Sequence, residues 1–294
     1  MYKQIALNRN RTIFLMALFF IVLVGLGYAL SYVYSDNTIL VVAVGVSVVM
    51  TWISYFASDK IALATARARP IRPDESLQER KILHLVENLS ITAGIPTPKV
   101  YIIDDPSPNA FATGRNPQHA SIALTRGLLD RLEKVELEGV IAHELSHVKN
   151  YDILLATVVI TLVGAITLLG DWFVRGRIFR GSSNNRGGGN LLAIVGIIFI
   201  VLSPVFARLI QLAVSRKREY LADASGAMLT RYPEGLAQAL RKIADYPDGL
   251  RVVNRATAHL FINSPFGRMK KGFMTLMSTH PPIEDRVKLL EGMT

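Results

Sequence analysis

The chain has 294 residues, half of them hydrophobic, no cysteine and a formal net charge of +10, with a mean hydropathy of +0.31. The lack of cysteine excludes a disulfide framework, a thiolate metal site and a thiol nucleophile, so any metal must be held by histidine and carboxylate. The positive charge does not point to nucleic acid, because the chain has no aromatic–basic repeat and no recognisable nucleic-acid module; basic residues beside apolar segments instead suit anionic lipid headgroups.

The first eleven residues are basic, with Lys3, Arg9 and Arg11. Thr12–Ser35 then runs 24 residues without a charge, enough for a helix across a hydrocarbon core of about 30 Å. The run is long for a signal-peptide core and lacks a convincing small-x-small cleavage site. Only Asp36 interrupts before a second uncharged run, Asn37–Ser58. These two runs predict a transmembrane hairpin joined by a tight turn. Lys60, Arg67, Arg69 and Arg72 follow it, so the excess of basic residues puts both ends in the cytoplasm.

From Pro73 to Asp152 the chain reads as soluble. Leu77–Ala93 has helical periodicity, with Ile82, Leu83, Leu85, Val86 and Leu89 as the apolar stripe and His84 as an ordinary core-edge or surface histidine. Gly94-Ile-Pro-Thr-Pro98 ends that helix. Lys99–Ile103, Asn109–Gly114 and Ala120–Leu124 are three strand candidates, with His119 in an exposed turn before the last. Gly127–Leu132 is a short helix, and Glu133 or Glu136 leads into the next.

That next helix carries His143-Glu144-Leu-Ser-His147. Positions i and i+4 share a helix face, so both imidazoles reach one ion. Glu144 stands about 100° round from His143, beside the ion without ligating it. Zinc held this way keeps an open position for water, and a glutamate alongside serves as general base. The five-residue pattern also arises by chance in amphipathic helices. Here Val140, Ile141, Ala142, Leu145 and Val148 make the helix apolar on several sides, and buried histidines need partners. The motif therefore predicts a third ligand elsewhere. A small sheet ahead of it offers an edge along which a substrate backbone lies as an added strand.

Ile153–Gly170 is a third uncharged run and Leu191–Ala207 a fourth, with Pro204 a kink. The loop between them holds Arg175, Arg177, Arg180 and Arg186. Either this second hairpin spans and its loop is an exception to the charge rule, or it is partly embedded in protein. Both return the chain to the side it left. The fourth helix is expected to continue into Arg218-Glu219-Tyr-Leu-Ala-Asp223, where Glu219 and Asp223 share a face. They suit a carboxylate ligand with an orienting acid one turn on, or else a salt-bridged surface with Lys217 and Arg218.

The order of hairpin, N-A-F-A-T-G, H-E-L-S-H, second hairpin, R-E-Y-x-A-D and H-P-P-x-x-x-R resembles the HtpX-type membrane zinc peptidases, gluzincins related to the CAAX prenyl proteases. The resemblance covers essentially the whole chain. It implies a mainly α membrane protein, with two hydrophobic helical hairpins and a gluzincin-like α+β peptidase domain holding a small β-sheet. The hairpins are residues 1–58 and 153–214, and the peptidase parts 59–152 and 215–294. It implies one Zn²⁺ per chain on His143, His147 and Glu219, Glu144 as catalytic base, and Asp223 as partner of a ligand histidine. Asn109 and Ala110 would belong to the substrate-binding edge strand. In this family the Ser278–Arg286 segment lies by the active site, where His280 and Arg286 are candidates to steady the oxyanion. Thr279 or His280 equally caps a helix opened by Pro281, and Arg286 equally pairs with Asp223 or Glu284. The soluble tail reads as a helix over Pro233–Ile243, and His259 receives no role. The implied activity is endoproteolysis of damaged or misfolded membrane proteins, in the bacterial cytoplasmic membrane with the site facing the cytoplasm. A prenyl-protein processing protease and a non-catalytic zinc-binding scaffold are the alternatives. Oligomeric state and natural substrates are not legible.

Overall fold

The computed structural model describes residues 2–74, 76–162, 164, 215–251, 257–263, 265 and 281–293. The loop and fourth apolar run of the expected second hairpin, and Ser278, Thr279 and His280, lie outside the described residues.

Two apolar helices open the chain, α1 (Tyr2–Tyr34) and α2 (Asn37–Phe56). Ser35 turns the backbone at φ 55°, and Asp36 caps α2 by accepting from the Thr38 amide at 2.9 Å. Both are long and apolar enough to cross a membrane. They also expose apolar side chains such as Ile21 at 64%, Val41 at 71% and Trp52 at 60%. Such a surface is stable against lipid rather than water. After the short α3 (Ser58–Thr65) comes α4 (Leu77–Ala93), capped by Ser76 and stopped by Gly94 in the left-handed region. Ile82 and Val86 are buried while His84 is exposed.

The sheet has four strands, β1 (Arg69–Pro70), β2 (Lys99–Ile103), β3 (Ala110–Gly114) and β4 (Ala120–Thr125), in the order β1-β2-β4-β3. Three were expected. At two residues, one a proline, β1 has no alternation to read. β2 and β4 are parallel, and β3 closes back antiparallel on β4. β3 is therefore an outer strand of the sheet.

α5 (Arg126–Arg131) leads into α6 (Lys134–Lys149), the motif helix. It starts with a capping box in which Glu133 and Glu136 satisfy each other's backbone amides. α7 (Asp152–Leu162) follows almost at once. α8 (Arg216–Thr230) carries Glu219 and Asp223. Its N-cap Ser215 is extended at φ −101°, so α8 begins there; the fourth run expected to lead into it lies outside the described residues. α9 (Pro233–Asp245) and α10 (Ile283–Glu291) complete the described helices. Pro233 opens α9 because the first helical position needs no amide donor.

The sheet and helices α4, α6 and α9 share one apolar core through Ile122, Leu124, Ile141, Leu145 and Leu236. A second cluster joins Leu15, Phe19 and Leu23 of α1 to Leu154, Leu155, Val158, Val159 and Leu162 of α7. The third apolar run thus starts packed against the first hairpin. Two glycines set how closely the helices meet α6. A Cβ on Gly226 would lie 3.0 Å from the His143 amide nitrogen, and one on Gly139 would lie 2.8 Å from that of Leu236. In both cases the atom met is backbone, so a helix would have to shift to admit a methyl group. Gly139→Ala gains about 1 kcal/mol of helix propensity against an overpacking cost of up to about 3 kcal/mol. A net loss is expected, read as a lower melting temperature in detergent; an unchanged or raised one would show that α9 slides freely on α6.

Candidate metal centre

The site is built where α6, α8 and the start of α7 converge. On α6, His143 and Glu144 are almost fully buried while His147 is partly exposed. His143 Nε2 and His147 Nε2 approach to 3.2 Å. From α8, Glu219 brings its carboxylate to 3.9 Å from His143 Nε2 and 3.7 Å from His147 Nε2. Ligand atoms of the three residues all lie within 4.8 Å of one another. Two nitrogens bound to one tetrahedral zinc at its usual bond lengths stand about 3.4 Å apart. The spacing fits such an ion.

What holds the two imidazoles in place makes the fit more specific. His143 Nδ1 lies 2.9 Å from Asp223 Oδ1. His147 Nδ1 lies 3.0 Å from Asp152 Oδ2. A carboxylate facing each Nδ1 fixes the proton there. Both Nε2 atoms then point at one spot, where a shared proton or a bound cation relieves their repulsion. Electrostatics agree. Burial pulls the His147 pKa down, but the Asp152 hydrogen bond and the Glu219, Asp152 and Glu144 charges outweigh it and raise it to about 9. In the metal-free chain a proton occupies the place of the positive charge that the site demands. Metal binding at neutral pH must displace that proton. Zinc affinity is therefore expected to rise about tenfold per pH unit up to about 9 and level off above. Competition titrations from neutral to alkaline pH test this, and an affinity flat across the range would contradict it.

Asp152 was not foreseen. It lies five residues beyond His147, off the shared helix face. Asn150 ends α6, and Tyr151 takes a left-handed φ of 60°, a conformation that costs a bulky residue roughly 1–2 kcal/mol. That turn brings the Asp152 carboxylate back to His147.

Behind His143 stands Arg286 of α10, wholly buried. Its Nε and Nη2 donate to Asp223 at 2.8 and 2.7 Å, its Nη1 donates to Ile262 O at 3.3 Å, and Nη1 is 3.9 Å from Glu219. Of the two partners open to it in the sequence, Asp223 is the one it takes. Burial would raise the Asp223 carboxyl, but Arg286 and His143 hold it at about 2. Burial would likewise lower the guanidinium, and the Asp223, Glu219 and Glu144 carboxylates more than offset this. Arg286 therefore braces the ligand set from behind and does not face the cavity, where an oxyanion donor would stand.

His143, Glu144, His147 and Glu219 line one cavity of about 50 Å³, with Ala112, Ala156 and His259 on its other walls. His259, given no role from sequence, has Nε2 3.3 Å from Ala156 O. The edge strand passes the cavity mouth. Asn109 O accepts from the Thr125 amide, so by ladder alternation Ala110, Ala112 and Gly114 turn their amides and carbonyls outward. Ala110 O already accepts from the Ile262 amide, and the Asn109 carboxamide donates to Asn263 O. The Gly114 amide donates to Thr157 Oγ1. Among the described residues nothing takes the outward groups of Ala112.

Residues 76–294 match the model of peptidase family M48. The Protease HtpX homolog of Thermoanaerobacter pseudethanolicus is 44% identical over 302 residues, covering 100% of this chain and 98% of that protein. The one from Streptococcus uberis is 41% identical over 301 residues, covering each chain in full. The crystal structure of S. mikatae Ste24p shares the fold, with a TM-score of 0.51 at 19% identity over 99% of this chain and 67% of that one.

Proposed function

The chain belongs to peptidase family M48, and from that premise we infer that this membrane metalloprotease is a zinc endopeptidase with His143, His147 and Glu219 as ligands and Glu144 as general base. The observation that carries the assignment is the convergence of two Nε2 atoms at 3.2 Å, each ring locked from behind by a carboxylate. Zinc bound there would polarise a peptide carbonyl and lower the pKa of its water. Glu144, which lines the same cavity, would take a proton from the attacking water and hand it to the leaving amine. Ala112 pairs the substrate backbone as an added strand and leads the scissile carbonyl into the cavity. Asp223 and Asp152 keep each ligand imidazole in the tautomer that presents Nε2, and Arg286 holds Asp223. A role for His280 in steadying the oxyanion rests on the resemblance of its motif alone.

The N-terminal hairpin of residues 1–58 anchors a peptidase made from 59–152 and 215–294, with 153–214 between them. Basic residues flank both ends of the hairpin, which puts the site on the cytoplasmic side. The matched HtpX homologs are bacterial proteins, and the cytoplasmic membrane is the compartment that fits. The substrates are misfolded membrane proteins, cut in segments that emerge from the bilayer. The Ste24p likeness reaches the fold and no substrate. To separate the readings, purified protein in detergent is given an unfolded membrane protein and, separately, a prenylated peptide. Cleavage of the first at several sites supports the proposal; cleavage confined to the second would replace it with prenyl-protein processing.

A further inference from the structure

α1 carries a buried polar residue that membrane anchoring does not explain. Asn8 is wholly buried. Its Nδ2 donates to Asp152 Oδ1 at 2.7 Å and to the Asn150 carbonyl at 3.0 Å, and its Oδ1 accepts from Arg218 Nη1 at 3.4 Å. Both amide protons face oxygens and its oxygen faces a guanidinium, so this orientation of the amide is fixed by its partners. The Asp152 carboxylate is shared. Oδ2 takes the Nδ1 proton of His147, while Oδ1 takes Asn8 and, at 3.5 Å, Arg218. The shortest of these bonds is the one to Asn8. A side chain in the first apolar helix therefore sits three groups from the ion position, across 144 residues of sequence.

We propose that Asn8 is a positioning residue for the metal ligand His147, acting through Asp152, so that the N-terminal hairpin is a working part of the centre as well as an anchor. The inference rests on the zinc reading above. A carboxylate that orients a ligand imidazole works only if it is itself oriented. Asp152 opens α7 directly after the left-handed turn at Tyr151, so its backbone is placed but its carboxylate still turns about the side-chain torsions. Without Asn8, only the longer Arg218 contact holds Oδ1 among the described residues. The carboxylate is then free to rotate away from Nδ1, and His147 loses its fixed tautomer.

The test measures zinc affinity of the full-length protein in detergent, by competition with a chromophoric chelator. Asp152→Ala is expected to bind zinc about 10- to 100-fold more weakly, and Asn8→Leu about 3- to 10-fold more weakly, as befits a group one step further out. In the double variant, Asn8→Leu should add nothing, because its effect passes through Asp152. Phe19→Ala, which loosens the packing of the same helix on α7, should lower the melting temperature and leave affinity within about twofold of wild type. If Asn8→Leu does not fold, Asn8→Ala removes the same donor without added bulk. An Asn8 variant with wild-type affinity, or one whose full loss persists in the Asp152→Ala background, would overturn the proposal while leaving the centre intact. A wild-type chain that bound no zinc would remove centre and proposal together.

Discussion

Replacing Glu144 by glutamine is expected to slow peptide cleavage by roughly 10²- to 10⁴-fold while the metal stays bound. Glu144 follows His143 on α6 and faces the same cavity as both ligand imidazoles. Glu219 from another helix completes a group of three residues that could hold a metal ion, so in the proposed centre Glu144 is not needed as a ligand. Glutamine keeps its shape and hydrogen-bonding reach but cannot take a proton from water. The loss should therefore fall on kcat, with metal content per chain unchanged. A variant as active as wild type would mean that another group is the base, or that the ion is structural.

The second large effect is on stability. Arg286→Leu should cost about 3–5 kcal/mol, the usual penalty for stranding one partner of a buried ion pair. The guanidinium is 0% exposed and grips Asp223 with two bonds. Removing it leaves that carboxylate in the interior near Glu219, with His143 as its remaining partner among the described residues. Against a typical domain stability of roughly 5–15 kcal/mol, the change is large enough to unfold much of the peptidase domain or empty the centre. Replacing both Asp223 and Arg286 with leucine should recover part of the stability, because no charge is then stranded. Denaturation curves in detergent for the single and double variants separate the cases. A single variant as stable as wild type would mean that Asp223 is otherwise neutralised.

Much of this was legible in the sequence because the signals are local. The bounds of α4 follow from its apolar spacing and the Gly94-Ile-Pro break, and they match Leu77–Ala93. Lys99–Ile103 reads directly as a strand for its β-branched run. The spacing of His143 and His147 and the shared face of Glu219 and Asp223 follow from helix geometry alone. What escaped depends on contacts between distant segments. Asp152 reaches His147 only through the left-handed turn at Tyr151, and no periodicity signals that turn. Asn8 looks like one polar residue before an apolar run, and its meaning comes from partners on α7 and α8. Arg286 was placed by its motif near the site, but whether it faces the cavity or the core is set by how α10 packs. The edge strand was anticipated, yet which of its amides are open depends on the segment around Ile262 that covers its start.

The measurement closest to the central claim is the metal content of the purified full-length protein, taken together with its cleavage activity. Protein stripped with chelator should be inactive and should recover activity as it takes up one zinc per chain. Glu219→Ala should recover neither at the same zinc concentration. Cleavage that survives complete metal removal, or a Glu219→Ala variant that binds zinc and cuts like wild type, would contradict the assignment of His143, His147 and Glu219 as the centre of the enzyme.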